Sequence, residues 1–422
     1  MPRPIEKPVA TITISPARLA AFQVLVRVGS SSDHSDDLLY GKGLERLSQQ
    51  DKNLTTALVL GVLRWQIALD ARLKPLLSNP NLKLDEMVAI SLRLGAFQLL
   101  YMDKIPVYAA VGESVELARR AGFGHAAGLV NAVLRELTRT KERVPLVQTP
   151  AFRAEKMGHP AWLVERWNRF YSAKNVENVL EFDQKTVVDR QNFVDETSGS
   201  AGWAIDDGSR LVAELAAAVG GNVEKVWDCC AAPGGKTSVL AARLPEAEML
   251  ATDVSPRRLK AMAARLGSEG RIRTLVADAT KLPEEEGLFD LVLCDAPCSG
   301  TGTLQRNPEI RLRVTAAELP RQAERQREIL AAALRRLKPG GRVLYSTCSL
   351  EPEEGEQVIE AVLAEDDSAA VVPVGPVLAG LEERGVLKTG VAAAVTRGHF
   401  LRTLPGANFE GDGFFAAVLE RR

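Results

Sequence analysis

The amino-acid sequence predicts a protein of two parts, a helical bundle followed by a domain with a mostly parallel β-sheet and helices on both faces. In the first 140 residues, apolar side chains recur at steps of three and four, which is the period of amphipathic helices. After Trp203, short apolar runs alternate with helical stretches, as is typical of a parallel sheet with crossover helices. The predicted fold class is therefore all-α followed by α/β.

The composition is that of an ordinary globular protein. The chain has 422 residues, 46% hydrophobic and 25% charged, which suits two or three domains and excludes a disordered or collagen-like chain. No uncharged apolar window is long enough to span a membrane, and the first residues lack the apolar core of a signal peptide. We therefore predict a cytoplasmic protein with no membrane partner and, by default, a monomer.

Charge and cysteine content limit the possible partners further. The formal net charge of −1 gives no overall basic field, so a polyanion would have to bind to local basic patches. The chain has five cysteines and no secretory signal, which indicates reduced thiols rather than a disulfide framework.

The helical part is predicted from apolar stripes and helix-start signals. Ser15 followed by Pro16 is such a signal. A second helix begins at Asp51 and keeps one apolar face as far as Leu69. Further stripes predict helices over residues 88–99, 110–118 and 129–137, with short connections that contain proline and glycine. This pattern predicts a compact helical bundle over residues 1–142.

The rest of the chain divides into a connector and a sheet domain. Residues 143–200 are interrupted by prolines and are predicted to be a connector with helices over 162–170 and 176–182. In residues 201–422 we predict strands over 225–229, 248–253, 272–276, 289–294, 342–346 and 414–419, the last of them at the sheet edge. The intervening helices are predicted over 235–244, 256–266 and 319–337.

The segment DCCAAPGGKT, residues 228–237, leads from the first predicted strand into a helix. Its small residues, with Gly234 and Gly235, allow backbone amides and a helix amino terminus to approach a ligand, as in nucleoside sites. A P-loop is excluded, because Cys230 stands where that motif requires the glycine five residues before Gly235. The alternative is a tight strand-to-helix turn with no ligand.

Acidic residues end three further predicted strands, namely Asp253, Asp278 and Asp295. They lie at the carboxyl edge of the sheet, where open α/β folds bind ligands. Asp253 stands nineteen residues after Gly234, a spacing that suits hydrogen bonds to ribose hydroxyls, although it would also suit a helix cap ahead of Pro256. Three carboxylates suit a cationic, phosphate-free nucleoside such as S-adenosylmethionine and would repel a dinucleotide.

Two cysteines follow predicted strands at the same edge, Cys298 in DAPCSGTGT and Cys348 in STCS. Two thiols therefore face one pocket, and either is a candidate nucleophile if its thiolate is favoured. The alternative for any single cysteine is an inert, buried small residue. Zinc is disfavoured because paired C-x-x-C spacing is absent, and the four scattered histidines do not indicate a Ser-His or Cys-His unit.

A basic run, QRNPEIRLR at residues 305–313, follows the first cysteine loop. Arg306, Arg311 and Arg313 are therefore candidate contacts to RNA phosphates. More arginines lie on the next predicted helix, where a solvated helix face is an equally good interpretation.

Taken together, these motifs resemble the Sun (RsmB) family of ribosomal RNA cytosine-5 methyltransferases. The resemblance covers DCCAAPGGKT, DAPCSGTGT, KPGGRVLYSTCSLEPEEGE and EGDGFFAAVLE. In the helical part, DKNLTTALVLGVLRW, VYAAVGESVELARRAG and GLVNAVLREL resemble a NusB-like RNA-binding domain. The resemblance implies a NusB-like bundle followed by a Rossmann-like, S-adenosylmethionine-dependent methyltransferase domain.

The resemblance also implies a role for each matched residue. S-adenosylmethionine would be bound by Cys230, Ala231, Ala232, Pro233, Gly234, Gly235, Lys236, Asp253, Arg258, Asp278 and Asp295. Cys348 would be the nucleophile that forms a covalent adduct with cytosine, Cys298 would assist product release, and Asp295 would stabilise the adduct. The implied substrate is a cytosine in small-subunit (16S) ribosomal RNA, methylated at carbon 5 without a metal.

Two departures from the family concern the RNA substrate. The segment over residues 183–203 is shorter than in the family, and Leu312 stands where the family usually has tryptophan. Two alternatives stay open: the same chemistry on transfer RNA, and a non-catalytic RNA-binding or ribosome-assembly factor. The presence of both cysteines argues against the second alternative.

Overall fold

The computed structural model describes residues 13–31, 33–81, 83–140, 150–186, 192–194, 205–266 and 270–422. The chain packs into two compact units, Met1–Arg166 with Asn307–Leu312, and Trp167–Arg306 with Arg313–Arg422. The predicted boundaries at residues 142 and 200 do not coincide with these limits, so the division into 1–142, 143–200 and 201–422 stays a prediction. Most of the segment predicted to be shortened, residues 183–203, lies outside the described residues.

The first unit is built of helices. They are α1 (Pro16–Ser30), α2 (Ser35–Leu39), α3 (Gln49–Leu73), α4 (Glu86–Tyr101), α5 (Val107–Arg120), α6 (Ala127–Thr140), α7 (Pro150–Lys156) and α8 (Ala161–Phe170), whose last residues belong to the second unit. Helix α3 begins before the predicted Asp51, because the Ser48 hydroxyl caps it by accepting a hydrogen bond from the Asp51 amide at 3.1 Å.

Helices α3 and α4 approach each other closely in the helical core at a glycine. A Cβ at Gly61 of α3 would overlap the ring of Phe97 on α4, so only glycine permits this packing. Leu58, Leu92 and Val130 are wholly buried around it. Among the described residues, the stretch Gln49–Leu76 is long and apolar enough to cross a bilayer, but half of its most apolar window is buried inside the protein, as in the core helices of soluble proteins.

The second unit contains one large sheet and its covering helices. The helices are α9 (Ala173–Phe182), α10 (Asp207–Gly220), α11 (Gly235–Arg243), α12 (Pro256–Leu266), α13 (Ile310–Arg313, most of it in the first unit), α14 (Glu318–Arg335), α15 (Glu356–Glu365), α16 (Val374–Glu383) and α17 (Val391–Val395). The strands are β1 (Lys225–Asp228), β2 (Glu248–Asp253), β3 (Ile272–Val276), β4 (Phe289–Asp295), β5 (Leu337–Thr347), β6 (Ala369–Val372), β7 (Thr396–Arg397), β8 (Phe400–Arg402) and β9 (Phe415–Arg421).

The described strands form a nine-stranded sheet in the order β3-β2-β1-β4-β5-β9-β8-β7, with β6 also paired to β9. Strands β1 to β5 are parallel, and β9 runs antiparallel to β5. The predicted fold class, helical bundle followed by α/β, is confirmed. The prediction that the last strand lies at the sheet edge is wrong, because β9 has partners on both sides, β5 on one and β6 and β8 on the other.

The alternation of side chains along the parallel strands buries both faces of the sheet. Leu293 of β4 and Leu344 of β5 belong to the core that α10 and α11 cover. Their neighbours Val292 and Tyr345 belong to the opposite core, beneath α14 and α15. Successive strand residues point to opposite faces, so a doubly covered sheet needs apolar residues at almost every position. This rigid sheet holds the strand ends that carry the polar residues described next.

Candidate functional site

The candidate site lies at the carboxyl ends of the parallel strands in the second unit. Strands β1 and β4 are neighbours, although β2 and β3 separate them in the chain. Such a reversal of strand order leaves a crevice outside the strand ends, where open α/β sheets bind ligands. Asp228 ends β1, Asp253 ends β2 and Asp295 ends β4, so the predicted edge exists.

The turn after β1 is fixed against β2 by its backbone. The Ala231 amide donates to the Thr252 carbonyl at 2.8 Å, and the Ala232 amide donates to Asp253 Oδ2 at 3.3 Å. The chain then passes through Gly234, whose φ of 107° is in the left-handed region, and α11 starts at the next residue. This geometry gives the close backbone approach and the helix amino terminus that the sequence predicted.

Asp253 is a cap in the structure, one of the two interpretations of its sequence position; the other, hydrogen bonds to ribose hydroxyls, stays a prediction. Its side chain is buried, and Oδ1 accepts a hydrogen bond from the Ser255 amide at 2.8 Å, as a cap does. Its other oxygen, Oδ2, faces the turn through Ala232, and the Arg258 guanidinium lies 3.5 Å from it. Asp253 and Arg258 therefore both border the turn.

Asp278 differs from the other strand-end carboxylates. It is exposed and caps a short 3-10 turn, with Oδ1 accepting from the amide and hydroxyl of Thr280 at 2.9 and 2.8 Å. These hydrogen bonds lower the pKa of Asp278. The carboxylate is therefore ionised at neutral pH and open to solvent.

Asp228 is the most deeply buried carboxyl group of the crevice. Thr237 donates to its Oδ2 at 2.6 Å, whereas Oδ1 has no hydrogen-bond partner among the described residues. Burial raises the pKa of Asp228 to about 7. A buried oxygen without a partner is costly, so this atom is suited to receive a hydrogen bond from a bound ligand.

Lys236 links the turn to the loop after β4. Its Nζ lies 2.8 Å from Asp295 Oδ2 and 5.0 Å from the centre of the Phe414 ring. The other oxygen of Asp295 accepts from the Ser346 hydroxyl at 2.8 Å. Burial acts to lower the pKa of Lys236, but the charge of Asp295 outweighs it and the pKa is raised. The lysine stays cationic and fixes the Asp295 carboxylate.

The two cysteines predicted to share a pocket are in contact. Cys298 follows β4, Cys348 follows β5, and their sulfur atoms are 3.4 Å apart. Both side chains are half-buried. The hydrogen bond with Cys348, and then burial, raise the pKa of Cys298 well above that of a free thiol. Cys298 therefore holds its proton at neutral pH, and either thiol can donate the hydrogen bond between the two sulfur atoms.

Two glycines bring the cysteine loops together with the segment before β9. The Gly302 amide donates to the Cys348 carbonyl at 3.0 Å, and the Gly413 amide donates to the Gly302 carbonyl at 2.7 Å. A Cβ at Gly302 would overlap the carbonyl oxygen of Gly413. Because only glycine fits there, the spacing of these backbone segments depends on it.

The remaining cysteines have a different environment. Cys229 and Cys294 are buried, and Cys230, predicted to bind the cofactor, is half-buried. Burial and the neighbouring thiols raise the pKa of Cys230 well above the usual value, with Cys229 as the largest influence. Such thiols are poor nucleophiles. Within the described ranges, no group of three or more histidine, cysteine or acidic side chains is arranged to hold a metal ion.

The three candidate RNA-contacting arginines have unlike surroundings. Arg306 is about one-third exposed (34%), and its Nε lies 3.4 Å from Asp412 Oδ2. Arg313 is half-buried. Arg311 is 1% exposed and donates to the carbonyls of Arg64 and Gly158 at 3.0 and 3.1 Å, all within the helical unit. The prediction that Arg311 contacts RNA is therefore wrong, because its guanidinium is used inside the protein.

Sequence reasoning missed two buried carboxylates beside the cysteine loops. Glu354 is wholly buried and accepts hydrogen bonds from residues of both loops. Asp412 lies next to Gly413, and burial, followed by the charge of Asp206, raises its pKa well above the usual value. Neither has a characteristic spacing to a cysteine, so only the fold reveals them.

The chain is similar to known proteins over most of its length. The family described as "16S rRNA methyltransferase RsmB/F" matches residues 219–420, and the NusB family matches residues 15–139. The ribosomal RNA small subunit methyltransferase B of Salmonella typhi is 31% identical over 420 residues, which cover 90% of this chain and 92% of the relative. The protein of the same name from Vibrio cholerae is 29% identical over 421 residues, 90% and 91% of the two chains.

The fold also has a solved counterpart. The crystal structure of PH0851 superimposes with a TM-score of 0.73 at 24% sequence identity, covering 97% of this chain and 100% of that one. At this identity the likeness concerns the fold. It extends over both units, the helical and the sheet-containing one.

Proposed function

This chain belongs to the RsmB/F family of 16S ribosomal RNA methyltransferases, which use S-adenosylmethionine, and we propose that it methylates carbon 5 of a cytosine in small-subunit ribosomal RNA through a covalent adduct with Cys348. The observation that carries the proposal is the contact between two thiols at the carboxyl edge of the sheet, with sulfur atoms 3.4 Å apart. A methyltransferase that acts on an amine or hydroxyl has no use for a paired thiol, whereas carbon 5 of cytosine has to be activated.

The residues of the crevice fit S-adenosylmethionine. The turn over residues 230–236 provides small side chains and a helix amino terminus, and Asp253, Arg258 and Asp278 lie on the β2 and β3 side of it. The unpartnered oxygen of Asp228 offers one further acceptor for a donor group of the ligand. The site is rich in carboxylates, which suits a sulfonium cation. When bound there, S-adenosylmethionine supplies an electrophilic methyl group.

The nucleophile in this proposal is Cys348. Its thiolate adds to carbon 6 of the cytosine, the electron pair of the 5,6 double bond shifts toward carbon 4, and nitrogen 3 takes up a proton from solvent. The product is an enamine whose carbon 5 is nucleophilic. Carbon 5 then takes the methyl group. The proton that Cys348 loses is free to pass to solvent or to a base, because the side chain is half-buried rather than enclosed.

Asp295 has the position to bind the reacting base. It lies at the end of β4, three residues before Cys298, and is held between Lys236 and Ser346. We propose that it accepts hydrogen bonds from the nitrogens of cytosine that carry protons, namely the exocyclic amine and, once it is protonated in the adduct, nitrogen 3, and so stabilises the adduct. The two fixed partners keep the carboxylate in place before the substrate arrives, which reduces reorganisation during the reaction.

Cys298 is proposed to act after methyl transfer. Carbon 5 then carries both a methyl group and a proton, and transfer of that proton to a base or to water restores the double bond and expels the Cys348 thiolate. Cys298 lies in contact with the departing sulfur, and as a thiol it can donate a hydrogen bond that stabilises the leaving thiolate. Without Cys298 the adduct should persist.

The substrate and setting follow from the same chemistry. The target cytosine has to leave its stack to reach the cysteines, so a loop or an opened helix of the RNA is expected. We propose that Arg306 and Arg313 contact phosphates there, that the protein acts as a cytoplasmic monomer, and that no metal takes part. Arg311 is not included, because it is buried.

The test is transfer of labelled methyl from S-adenosylmethionine to small-subunit RNA by wild type, Cys348→Ala and Cys298→Ala, with a denaturing gel for protein-RNA adducts. We expect wild type to form 5-methylcytosine, Cys348→Ala to be inactive, and Cys298→Ala to accumulate the adduct. Cys294→Ala is the matched control, because Cys294 is a buried cysteine in the body of β4.

Three outcomes would contradict the proposal in whole or in part. Full activity of Cys348→Ala would exclude it as the nucleophile. An adduct that forms with Cys298 in place of Cys348 would reverse the two roles. Methylation of transfer RNA in preference to ribosomal RNA would retain the chemistry and change the substrate.

A further inference from the structure

Glu354 is a buried carboxylate that both cysteine loops contact. It lies in the 3-10 turn Pro352–Glu354, shortly after Cys348, and is 0% exposed. On the side of Cys298, the next residue, Ser299, donates to the carboxylate with its amide (to Oε1, 2.8 Å) and with its hydroxyl (to Oε2). On the side of Cys348, the next residue, Ser349, donates its hydroxyl to Oε2 at 2.5 Å. The residue after each cysteine is thus bound to one side chain.

Glu354 itself is held from the sheet and from α14. Its backbone carbonyl accepts hydrogen bonds from the hydroxyls of Tyr345 and Thr347 on β5, at 2.9 and 3.0 Å. Gln326 of α14 donates to its Oε1 at 3.1 Å and also to the carbonyl of Pro297 at 2.9 Å. Because both ends of the residue are fixed, movement of its carboxylate would have to move both loops.

The carboxylate determines the direction of the hydrogen bonds around it. An ionised carboxylate only accepts, so the hydroxyls of Ser299 and Ser349 have to donate to it. The oxygen of Ser349 is then free to accept, and the Glu351 amide donates to it at 3.0 Å. In the part of the chain that the structure describes, no ion pair joins Glu354 to a basic side chain. Hydrogen bonds alone offset its burial, which requires that all of them be made.

We propose that Glu354 is a positioning residue for the two-cysteine reaction, holding the Cys298 and Cys348 loops so that their thiols stay in contact. This inference rests on the proposed function, in which Cys298 has to reach the sulfur that Cys348 carries. Among the described residues, no hydrogen bond joins the Glu354 carboxylate to either thiol. Glu354 acts through Ser299 and Ser349, the residues that follow the two cysteines.

The charge of Glu354 also favours the proposed roles of the two cysteines, Cys348 as the nucleophile and Cys298 as the thiol that assists release. After the hydrogen bond with Cys348 and burial, the nearby negative charge of Glu354 is a further cause that raises the pKa of Cys298. The carboxylate therefore keeps Cys298 in the thiol form, in which it can donate a hydrogen bond to the sulfur of Cys348. Geometry and charge favour the same arrangement.

The test measures thiol spacing without RNA. In the full-length protein, equilibration with glutathione disulfide converts the two thiols to a Cys298–Cys348 disulfide, with two glutathione thiols formed for each glutathione disulfide consumed. The equilibrium constant gives the effective concentration of one thiol at the other, and mass spectrometry of the crosslinked peptide separates this pair from the other three cysteines.

We expect Glu354→Ala to lower this effective concentration by about tenfold or more, since the two loops lose their shared partner. Glu354→Gln should stay within about threefold of wild type, because its amide oxygen accepts from the Ser299 amide and its nitrogen donates to the hydroxyls. Glu360→Gln, on the exposed side of α15, is the charge-matched control. Urea unfolding of each variant reports any general loss of stability.

The results separate the two proposals. An effective concentration unchanged in Glu354→Ala would overturn the positioning role, whatever the methylation assay gives. If Glu354→Ala does not fold, the double variant Ser299→Ala with Ser349→Ala removes the two hydroxyl donors and should give the same fall. If the thiol equilibrium responds as expected and no RNA is methylated, the positioning role stands and the proposed reaction fails.

Discussion

The ammonium group of Lys236 lies 2.8 Å from the carboxylate of Asp295, which joins the turn after the first strand of the sheet to the loop that carries Cys298. The two residues are 59 positions apart in the chain. The ion pair connects the segment proposed to hold the methyl donor with the segment proposed to hold cytosine, so a change in one should affect the other.

Replacing Lys236 by methionine should therefore impair the chemical step more than donor binding. The variant keeps the length of the side chain but leaves Asp295 with Ser346 as its remaining partner. We expect kcat to fall by about 100-fold, within the range for loss of one preorganising electrostatic contact, and donor affinity to weaken by less than about tenfold. Steady-state kinetics and a thermal shift with S-adenosylmethionine measure the two effects. Weakened donor affinity with an unchanged kcat would mean that Lys236 serves only the donor.

Replacing Asp228 by asparagine should change how stability depends on pH. Burial raises the pKa of Asp228 from 3.8 to about 7, so between these values the folded state binds a proton that the unfolded state does not. Stability then falls as pH rises through this window and levels off above it. The variant should gain stability relative to wild type over the same window, by about 4 kcal/mol at most.

Urea unfolding of wild type and Asp228→Asn at matched pH values from about pH 4 to pH 8 measures this difference. The other titrating groups are common to both proteins and largely cancel. A difference that does not vary with pH would show that Asp228 is ionised throughout.

Replacing Gly302 by alanine should destabilise the sheet unit and disturb the cysteine loops. The added Cβ meets the backbone carbonyl of Gly413, which has no flexible end to move aside. We expect a loss of about 1–3 kcal/mol in urea unfolding, as for other overpacked sites, with a fall in methyl transfer. Gly128→Ala is the control: it is exposed on α6 with nothing within 4 Å, and should be neutral or slightly stabilising. A wild-type-like Gly302→Ala would mean that the close approach is dispensable.

Two arginines of the basic run should have different roles, Arg311 a structural one and Arg313 a contact with RNA. Arg311→Ala removes the guanidinium that donates to the carbonyls of Arg64 and Gly158 and should cost about 2–3 kcal/mol of stability. Arg313→Ala should leave stability within about 0.5 kcal/mol, weaken RNA binding and reduce its salt dependence by about one counterion. Filter binding at several salt concentrations together with urea unfolding tests both. The assignment fails if Arg311→Ala changes the salt dependence and leaves stability intact.

The sequence was sufficient to predict most helices and strands and the residues at the strand ends. Their signals are local: a β2 strand that ends in Asp253 has the same boundaries in the prediction and in the structure. Long-range partners had no such signal. The interior position of β9 depends on β6 and β8, both too short to give a periodic pattern.

The arginines and Glu354 show the same limit at the level of side chains. Arg306, Arg311 and Arg313 look alike in a basic run, and only their contacts separate a buried residue from an accessible one. Glu354 lies among several acidic residues in EPEEGE, and nothing in that run distinguishes the one that receives both cysteine loops. A role that follows from the residue type and its position at a strand end could be predicted from the sequence. A role that depends on contacts between residues far apart in the chain could not.

The helical unit includes residues 307–312, a stretch encoded far downstream of its other helices, and within that stretch Glu309 accepts hydrogen bonds from the amide and hydroxyl of Ser35 at 3.2 and 2.9 Å. The two units are consequently not independent modules that a single cut could separate. A gene fragment ending at residue 166 would encode a bundle that lacks the Glu309 carboxylate bound by Ser35. The complementary fragment would contain Glu309 and Arg311 but not the residues that these two side chains contact in the helical unit. Swapping or shuffling this domain between proteins would have to transfer both pieces together.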